Sequence, residues 1–182
     1  NPPIIPTNYT WDATGADTSL NNPTNWAGDI APELGGTSQV IFGTGGSTAT
    51  VNTNASLYGI TFNRDGNFTL ANGDGAVTLG LGGIVAAAPN ATARAYAIAE
   101  DVTLIENQNW TVTNAVGGTT LTVSGVIADG TNSLGITKTG NGTLVLSGNN
   151  TYDGVTTNWC GSIQIAHSNA LGSTVGGTVI NT

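Results

Sequence analysis

The sequence predicts an all-β chain wound as a parallel β-solenoid, and three observations carry that prediction. Short runs rich in Val, Ile, Leu and Thr recur along the chain at a spacing of roughly 20 to 23 residues, the period of a stacked-coil architecture. Gly and Asn bound each run, which is strand and turn chemistry rather than helix chemistry. Finally, only 8% of the 182 residues are charged, against about 25% in ordinary soluble domains. A coil that cannot bury its apolar side alone must stack on its neighbours. Charges stacked at the strand spacing of about 4.8 Å would repel.

Taken in order, residues 1–50 form an irregular N-terminal part of a single domain over residues 1–182, and the repeats run from residue 57 to the C-terminus. The strand-like runs are Leu57-Tyr-Gly-Ile-Thr-Phe62, Val77-Thr-Leu-Gly-Leu-Gly-Gly-Ile84, Val102-Thr-Leu-Ile105, Thr120-Leu-Thr-Val-Ser-Gly-Val-Ile127, Thr143-Leu-Val-Leu-Ser-Gly-Asn-Asn150, Ser162-Ile-Gln-Ile165 and Thr178-Val-Ile180. The Ala-rich stretch from Ile84 to Ala99 invites a helix, but Gly83, Pro89 and Asn90 favour loop and strand. Side chains alternate between faces along a strand, so Leu144 and Leu146 point into the coil and Val145 and Ser147 point out. The same rule gives an inward set of Ile60, Phe62, Leu79, Leu81, Leu121, Val123, Leu144, Leu146, Ile163 and Ile165. Corner Gly and Asn residues are expected to take the positive φ that sharp bends demand.

The formal net charge is −8, with Arg64, Arg94 and Lys138 as the basic residues. That excludes a Lys/Arg footprint for nucleic acid and electrostatic docking on anionic lipid. No run of 18 apolar residues is present, so no helical membrane insertion is expected. Cys160 is the single cysteine, so no disulfide forms within the chain and no thiolate cluster is available. Stability must come from another source, such as a continuous ladder of backbone hydrogen bonds.

The run Lys138-Thr-Gly-Asn-Gly-Thr-Leu-Val-Leu-Ser-Gly-Asn-Asn-Thr-Tyr-Asp-Gly154, followed by Gly161-Ser-Ile-Gln-Ile165 and Asn169-Ala-Leu-Gly172, closely resembles the passenger-associated autotransporter β-strand repeat. Tyr9-Thr-Trp-Asp12, Asn25-Trp26, Val40-Ile-Phe42, Gly59-Ile-Thr-Phe62 and Leu121-Thr-Val-Ser-Gly125 fit the same pattern. The resemblance implies a right-handed parallel β-helix in an exported bacterial protein, extracellular or at the cell surface; the start at Asn1 without Met is expected to mean either that a signal peptide has been removed or that the segment was excised from something larger. It brings no catalytic residues. Trp159-Cys160 departs from it, standing where the repeat has small or polar residues.

Candidate sites are few. Glu100, Asp101 and Glu106 would make an acid/base set only if their carboxylates converged beside a basic partner; adjacent strand residues face opposite ways, so solvated surface is the expectation. Asp12 with Asp17, or Asp65 with Asp74, could hold Ca²⁺, but no regular acidic loop is present and turn chemistry accounts for them. His167 is the single histidine, which leaves a His-based triad or zinc site incomplete. Cys160 is expected to be a small buried hydrophobe. Trp11, Trp26, Trp110 and Trp159 are expected to cap and pack rather than to form a sugar-stacking platform. Asn-x-Ser/Thr triplets begin at Asn8, Asn54, Asn67, Asn90, Asn109, Asn141 and Asn149, as a chain so rich in Asn and Thr produces by chance.

No metal, cofactor or catalytic residue is therefore expected, and three roles remain. The first is a structural protein, a fibre or filament subunit. The second is an adhesin or glycan-binding passenger, with surface glycans as partners. The third, least favoured, is a polysaccharide-active enzyme. A filament would assemble head to tail through its ends, using Ile4, Ile5 and Tyr9 of the proline-extended N-terminal segment and Val179 and Ile180 of the last strand; the competing expectation is that both ends were cut from a longer passenger, whose remaining chain supplies the caps.

Overall fold

A computed structural model describes residues 4–90, 92–113 and 118–181. Sixteen strands run through these residues, with one short 3-10 turn at Pro23–Asn25. Every pairing between named strands is parallel. Parallel partners cannot be joined by a tight hairpin. The chain solves this by making a full circuit before each strand meets its partner, which is the solenoid the sequence predicts, with about six turns.

Two sheets share the circuit. Sheet A follows the order β1 (Thr7–Trp11), β2 (Ser38–Phe42), β4 (Ala55–Phe62), β6 (Val77–Ala87), β9 (Gln108–Thr113), β12 (Ile136–Thr139), β14 (Thr156–Asn158) and β16 (Thr178–Ile180). Sheet B stacks β3 (Thr48–Thr50), β5 (Phe68–Ala71), β7 (Ala95–Ile98), β10 (Thr120–Val123), β13 (Thr143–Leu146) and β15 (Ser162–Ile165). The strands β8 (Val102–Leu104) and β11 (Ile127–Ala128) extend from the first half of β6 as a third flank. The second half of β6 pairs with β9 instead.

The coils are less regular than the sequence spacing suggests. Thr143 pairs with Ser162, a step of 19 residues, whereas Trp110 pairs with Lys138, a step of 28. The apparent repeat also changes face midway: the runs at 57, 77 and 102 lie in sheet A, and those at 120, 143 and 162 lie in sheet B. Each circuit carries strands on both sheets, and similar composition on both made them look like one series.

The inward set packs as alternation requires, with two differences. Ile60, Phe62, Leu79, Leu121, Val123, Leu144 and Leu146 are fully buried. Leu81 is not; it is 64% exposed. Between Leu57/Leu79 and Gly59/Gly83 the register shifts, because β6 spends more residues than β4 on the same corner. Leu81 rides on that bulge and is pushed outward. The return to register needs Gly83, which has φ +60 and would place a Cβ 2.3 Å from the Asn109 carbonyl oxygen. Ile163 and Ile165 keep the inward register, opposite Leu144 and Leu146. Ile165 is nevertheless 57% exposed, because no described coil covers that side of β15.

The Ala-rich stretch adopts strand and loop, as expected: it ends β6 and supplies β7. Corner asparagines do not take positive φ; among described residues other than glycine that conformation is found at Ala13 and Asp29. Asn and acidic side chains serve the corners in another way, by accepting backbone N–H groups from an adjacent coil. The Val126 N–H donates to Asp101 (2.7 Å), Gly135 to Asn107 (2.8 Å), Ile127 to Asn150 (2.9 Å) and Asp153 to Asp129 (3.1 Å). These bonds satisfy donors where the strand ladder breaks.

Two substitutions separate the two corners of the register. Leu146→Asp buries a carboxylate with no partner and is expected to cost about 3–5 kcal/mol. Leu81→Asp lies on the exposed bulge and is expected to change stability by less than about 0.5 kcal/mol. Chemical denaturation of both variants checks this; equal costs would contradict the bulge.

Candidate functional site

The two ends of the stack are built differently. At the N-terminal end, residues 12–37 fold across the first coil. Trp26 packs edge-on against Trp11 at 5.2 Å between ring centroids and against Tyr9 at 6.5 Å, and its indole N–H donates to the Leu20 carbonyl at 2.8 Å. Backbone bridges Ser19–Thr50 and Gly35–Ser56 cover the edges of β3 and β4. Asp17 ties this cap together, accepting from the Ser19 N–H and from the amides of Asn22 and Asn25. These bonds, the Ser19 N–H first, hold its carboxyl below the usual carboxylate range.

At the other end nothing comparable exists among the described residues. Val179 and Ile180 on β16 are exposed, as are Ile165 and Val175. A cavity of about 540 Å³ opens there, lined by Asn141, Asn158, Trp159, Cys160, Gly161, Ile180 and Asn181. The Asn158 side chain is buried and donates to the Gly161 carbonyl at 3.1 Å, but its Oδ1 accepts no hydrogen bond among the described residues. Of the residues expected to serve assembly, Ile4 and Ile5 (88% exposed) stand free of the core, whereas Tyr9 is half-buried against Trp26. Asn1, Pro2 and Pro3 of the N-terminal segment, and Thr182, lie outside the described residues.

The structure pulls the candidate acid/base set apart. Glu100 is buried, contrary to the expectation of solvated surface, while Asp101 and Glu106 are exposed. Its oxygens accept from the Gly73 N–H (3.0 Å), the Asn72 amide (3.3 Å) and the Asp101 N–H (3.2 Å). A corner offering three donors can hold a carboxylate away from water, which the local sequence does not reveal. Asp12 and Asp17 cap local turns, and Asp65 pairs with Arg94 and with the Asn90 amide. Asp74 is exposed, and no cluster of three metal-ligating side chains is found among the described residues. His167 is half-buried, and its Nδ1 accepts from the Asn169 N–H at 3.1 Å.

Sequence reasoning missed the buried Lys138. It occupies an inward column shared with Val40, Ile60, Ile84, Trp110, Asn158 and Ile180, and it is fully buried. Its Nζ donates to the carbonyls of Thr139 (3.1 Å), Gly140 (2.6 Å) and Cys160 (2.7 Å), using all three protons. This geometry accounts for the Lys-Thr-Gly-x-Gly pattern. The chain must curl tightly to aim carbonyls at the ammonium, and Gly140 has φ +79. Gly161, with φ +69, closes the pocket from the next coil, and a Cβ there would lie 2.4 Å from the Gly142 oxygen. The available signal was alternation itself: Lys138 shares a face with Ile136. Cys160 is exposed rather than a buried hydrophobe, because its carbonyl, not its thiol, faces the lysine. Three tryptophans pack as expected, and Trp159 is 57% exposed.

Stacked parallel coils with a capped end and a carbonyl-lined lysine corner define a β-solenoid. Residues 136–157, from β12 to the middle of β14, match the passenger-associated-transport-repeat family. Together the repeat and the fold fit a passenger-type autotransporter β-repeat protein. Comparison with curated proteins and with solved structures gave no match.

Lys138→Met should leave three carbonyls without their donor and cost at least about 1–3 kcal/mol in thermal or chemical unfolding. Burial pushes the Lys138 ammonium down to about 8 from an ordinary 10.5, with a smaller electrostatic contribution from Cys160 acting in the opposite sense. Between those values the unfolded chain binds more protons than the folded one, so stability contributed at this site rises with pH through that window. In a Cys160→Ser background, the stability of the lysine protein relative to Lys138→Met should therefore increase from pH 8 to 10.5. A flat difference would show that the carbonyls fully offset the burial.

Proposed function

We propose that this chain is a structural, non-enzymatic β-solenoid of an exported bacterial surface protein, and that it extends into a fibre by stacking coils end on. The observation that carries this reading is the difference between the two ends. A solenoid end without a polar cap leaves strand edges and apolar side chains to be covered. Here one end is covered by Trp26 packed on Trp11, while at the other the described residues expose Ile165, Val179 and Ile180. The family match supports the surface location, since passenger repeats belong to exported proteins.

The occupant proposed for the open end is the N-terminal face of a second copy. The outer edge of β1 is bridged at Trp11 by Trp26, leaving its first residues, with Ile4 and Ile5 ahead of them, to pair with β16 of a neighbour. Such a contact is heterologous and does not close, so it propagates. The N-terminal face carries Asp12, Asp17, Asp29 and Glu33, but residues 154–182 hold no Asp or Glu side chain to repel them.

Sedimentation velocity over a wide concentration range, with electron microscopy of the same samples, tests the proposal. The 182-residue protein should form species that lengthen with concentration. Val179→Lys/Ile180→Lys should remain monomeric with an unchanged circular dichroism spectrum, because charges on an open edge block pairing. A chain that stays monomeric at all concentrations would overturn the fibre reading and leave the surface solenoid.

A further inference from the structure

The lateral face of the solenoid carries a second cavity, of about 460 Å³, that shares only Trp159 with the cavity at the open end. We propose that it is a binding site for a neutral saccharide, with Trp159 as the stacking platform. Its floor is made by Asn109, Thr137 and Thr139, its walls by Trp159 on one side and Leu81 on the other, and Asn107 lies at its margin.

The fold assembles these residues from four successive circuits. Asn109 is the register partner of Thr137, and Thr111 of Thr139, so the floor is a flat outward surface of sheet A. Trp159 follows Asn158, whose partner is the inward Lys138; alternation therefore turns the indole outward, beside Thr139. Leu81 reaches the site because of the bulge in β6. Both large apolar side chains are more than half exposed, and Trp159, which also lines the cavity at the open end, stands where the lateral face meets that end.

The chemistry of the lining selects the ligand. No lining residue is ionisable, and a net charge of −8 disfavours anions. Among the described residues, the Asn107 and Asn109 side-chain N–H groups and the Thr137 hydroxyl have no hydrogen-bond partner. The oxygens are partly engaged: Asn107 Oδ1 accepts from the Gly135 N–H, and Asn109 Oδ1 takes a long 3.4 Å contact from Thr139. Unused amide donors and a hydroxyl beside an indole face match a pyranose ring, which offers hydroxyl oxygens at its rim and C–H groups on its face. The volume falls within the range of about 300–1,000 Å³ that small ligands occupy.

Affinity electrophoresis of the full chain in native gels holding hydroxyethylcellulose, glucomannan, arabinoxylan or polygalacturonate tests the site. Retardation is expected in at least one of the three neutral gels and not in polygalacturonate. Trp159→Ala should weaken it by at least about tenfold, as loss of an aromatic anchor does, while Trp159→Phe retains part of it. Asn109→Ala should weaken it with the circular dichroism spectrum unchanged. The proposal is overturned if no neutral polysaccharide retards the protein, if Trp159→Ala is retarded like the wild type, or if polygalacturonate binds more strongly. Because Trp159 also lines the cavity at the open end, the Trp159 variants are run in the sedimentation experiment as well, and Asn109→Ala, whose residue lines the lateral cavity alone, separates loss of the saccharide site from loss of assembly.

Discussion

Among the described residues every named strand finds its hydrogen-bond partner one circuit away, in parallel, and the rest of the structure follows from that requirement. A single coil has no core and no satisfied backbone; both appear only when coils lie in register. In-register stacking puts like residues on like residues, as in Leu121, Leu144 and Ile163 or Val123, Leu146 and Ile165. It also explains the low charge, because a carboxylate on an outer column would face others at the strand spacing of about 4.8 Å. Hydroxyls and amides suffer no such repulsion, and Thr111 and Thr139 bond across coils at 2.8 Å.

The interior changes character along the stack. Near the N-terminal end it is aromatic: Phe42 stacks on Phe68 at 4.5 Å and on Phe62 at 5.4 Å, and Phe62 lies against Tyr96 at 5.2 Å. Further on, one inward column passes from Trp110 to Lys138 and Asn158. A buried ammonium is tolerated there because the corner wraps three carbonyls around it. Burial without those acceptors would cost several kcal/mol. The lysine thus fixes the shape of the turn that contains it, and the glycines around it are consequences of that shape.

Much of this was legible in the residues. Alternation in Thr143–Leu146 and Thr120–Val123 gave the inward faces, and Gly83 with Pro89 argued against a helix in the Ala-rich stretch. What escaped was decided by contacts between coils. Leu81 obeys the alternation of its own strand, but the bulge against β4 reverses it. Glu100 looks like a solvated acid until the Asn72–Gly73 corner of another coil is placed above it. Cys160 looks apolar, yet the pocket beside it needs its carbonyl. The Trp159 groove draws on four circuits, so no local pattern announces it.

For function, the same stacking gives a lateral surface built from successive coils, on which the proposed saccharide site lies. The claim beneath all of this is parallel, in-register pairing of consecutive coils. Nitroxide labels at Thr122→Cys and Val145→Cys in a Cys160→Ser background test it directly, since these outward residues are register partners on β10 and β13. Stacked coils predict strong dipolar broadening of the electron paramagnetic resonance spectrum, from backbones about 4.8 Å apart. A spectrum equal to the sum of the two singly labelled proteins would contradict the account.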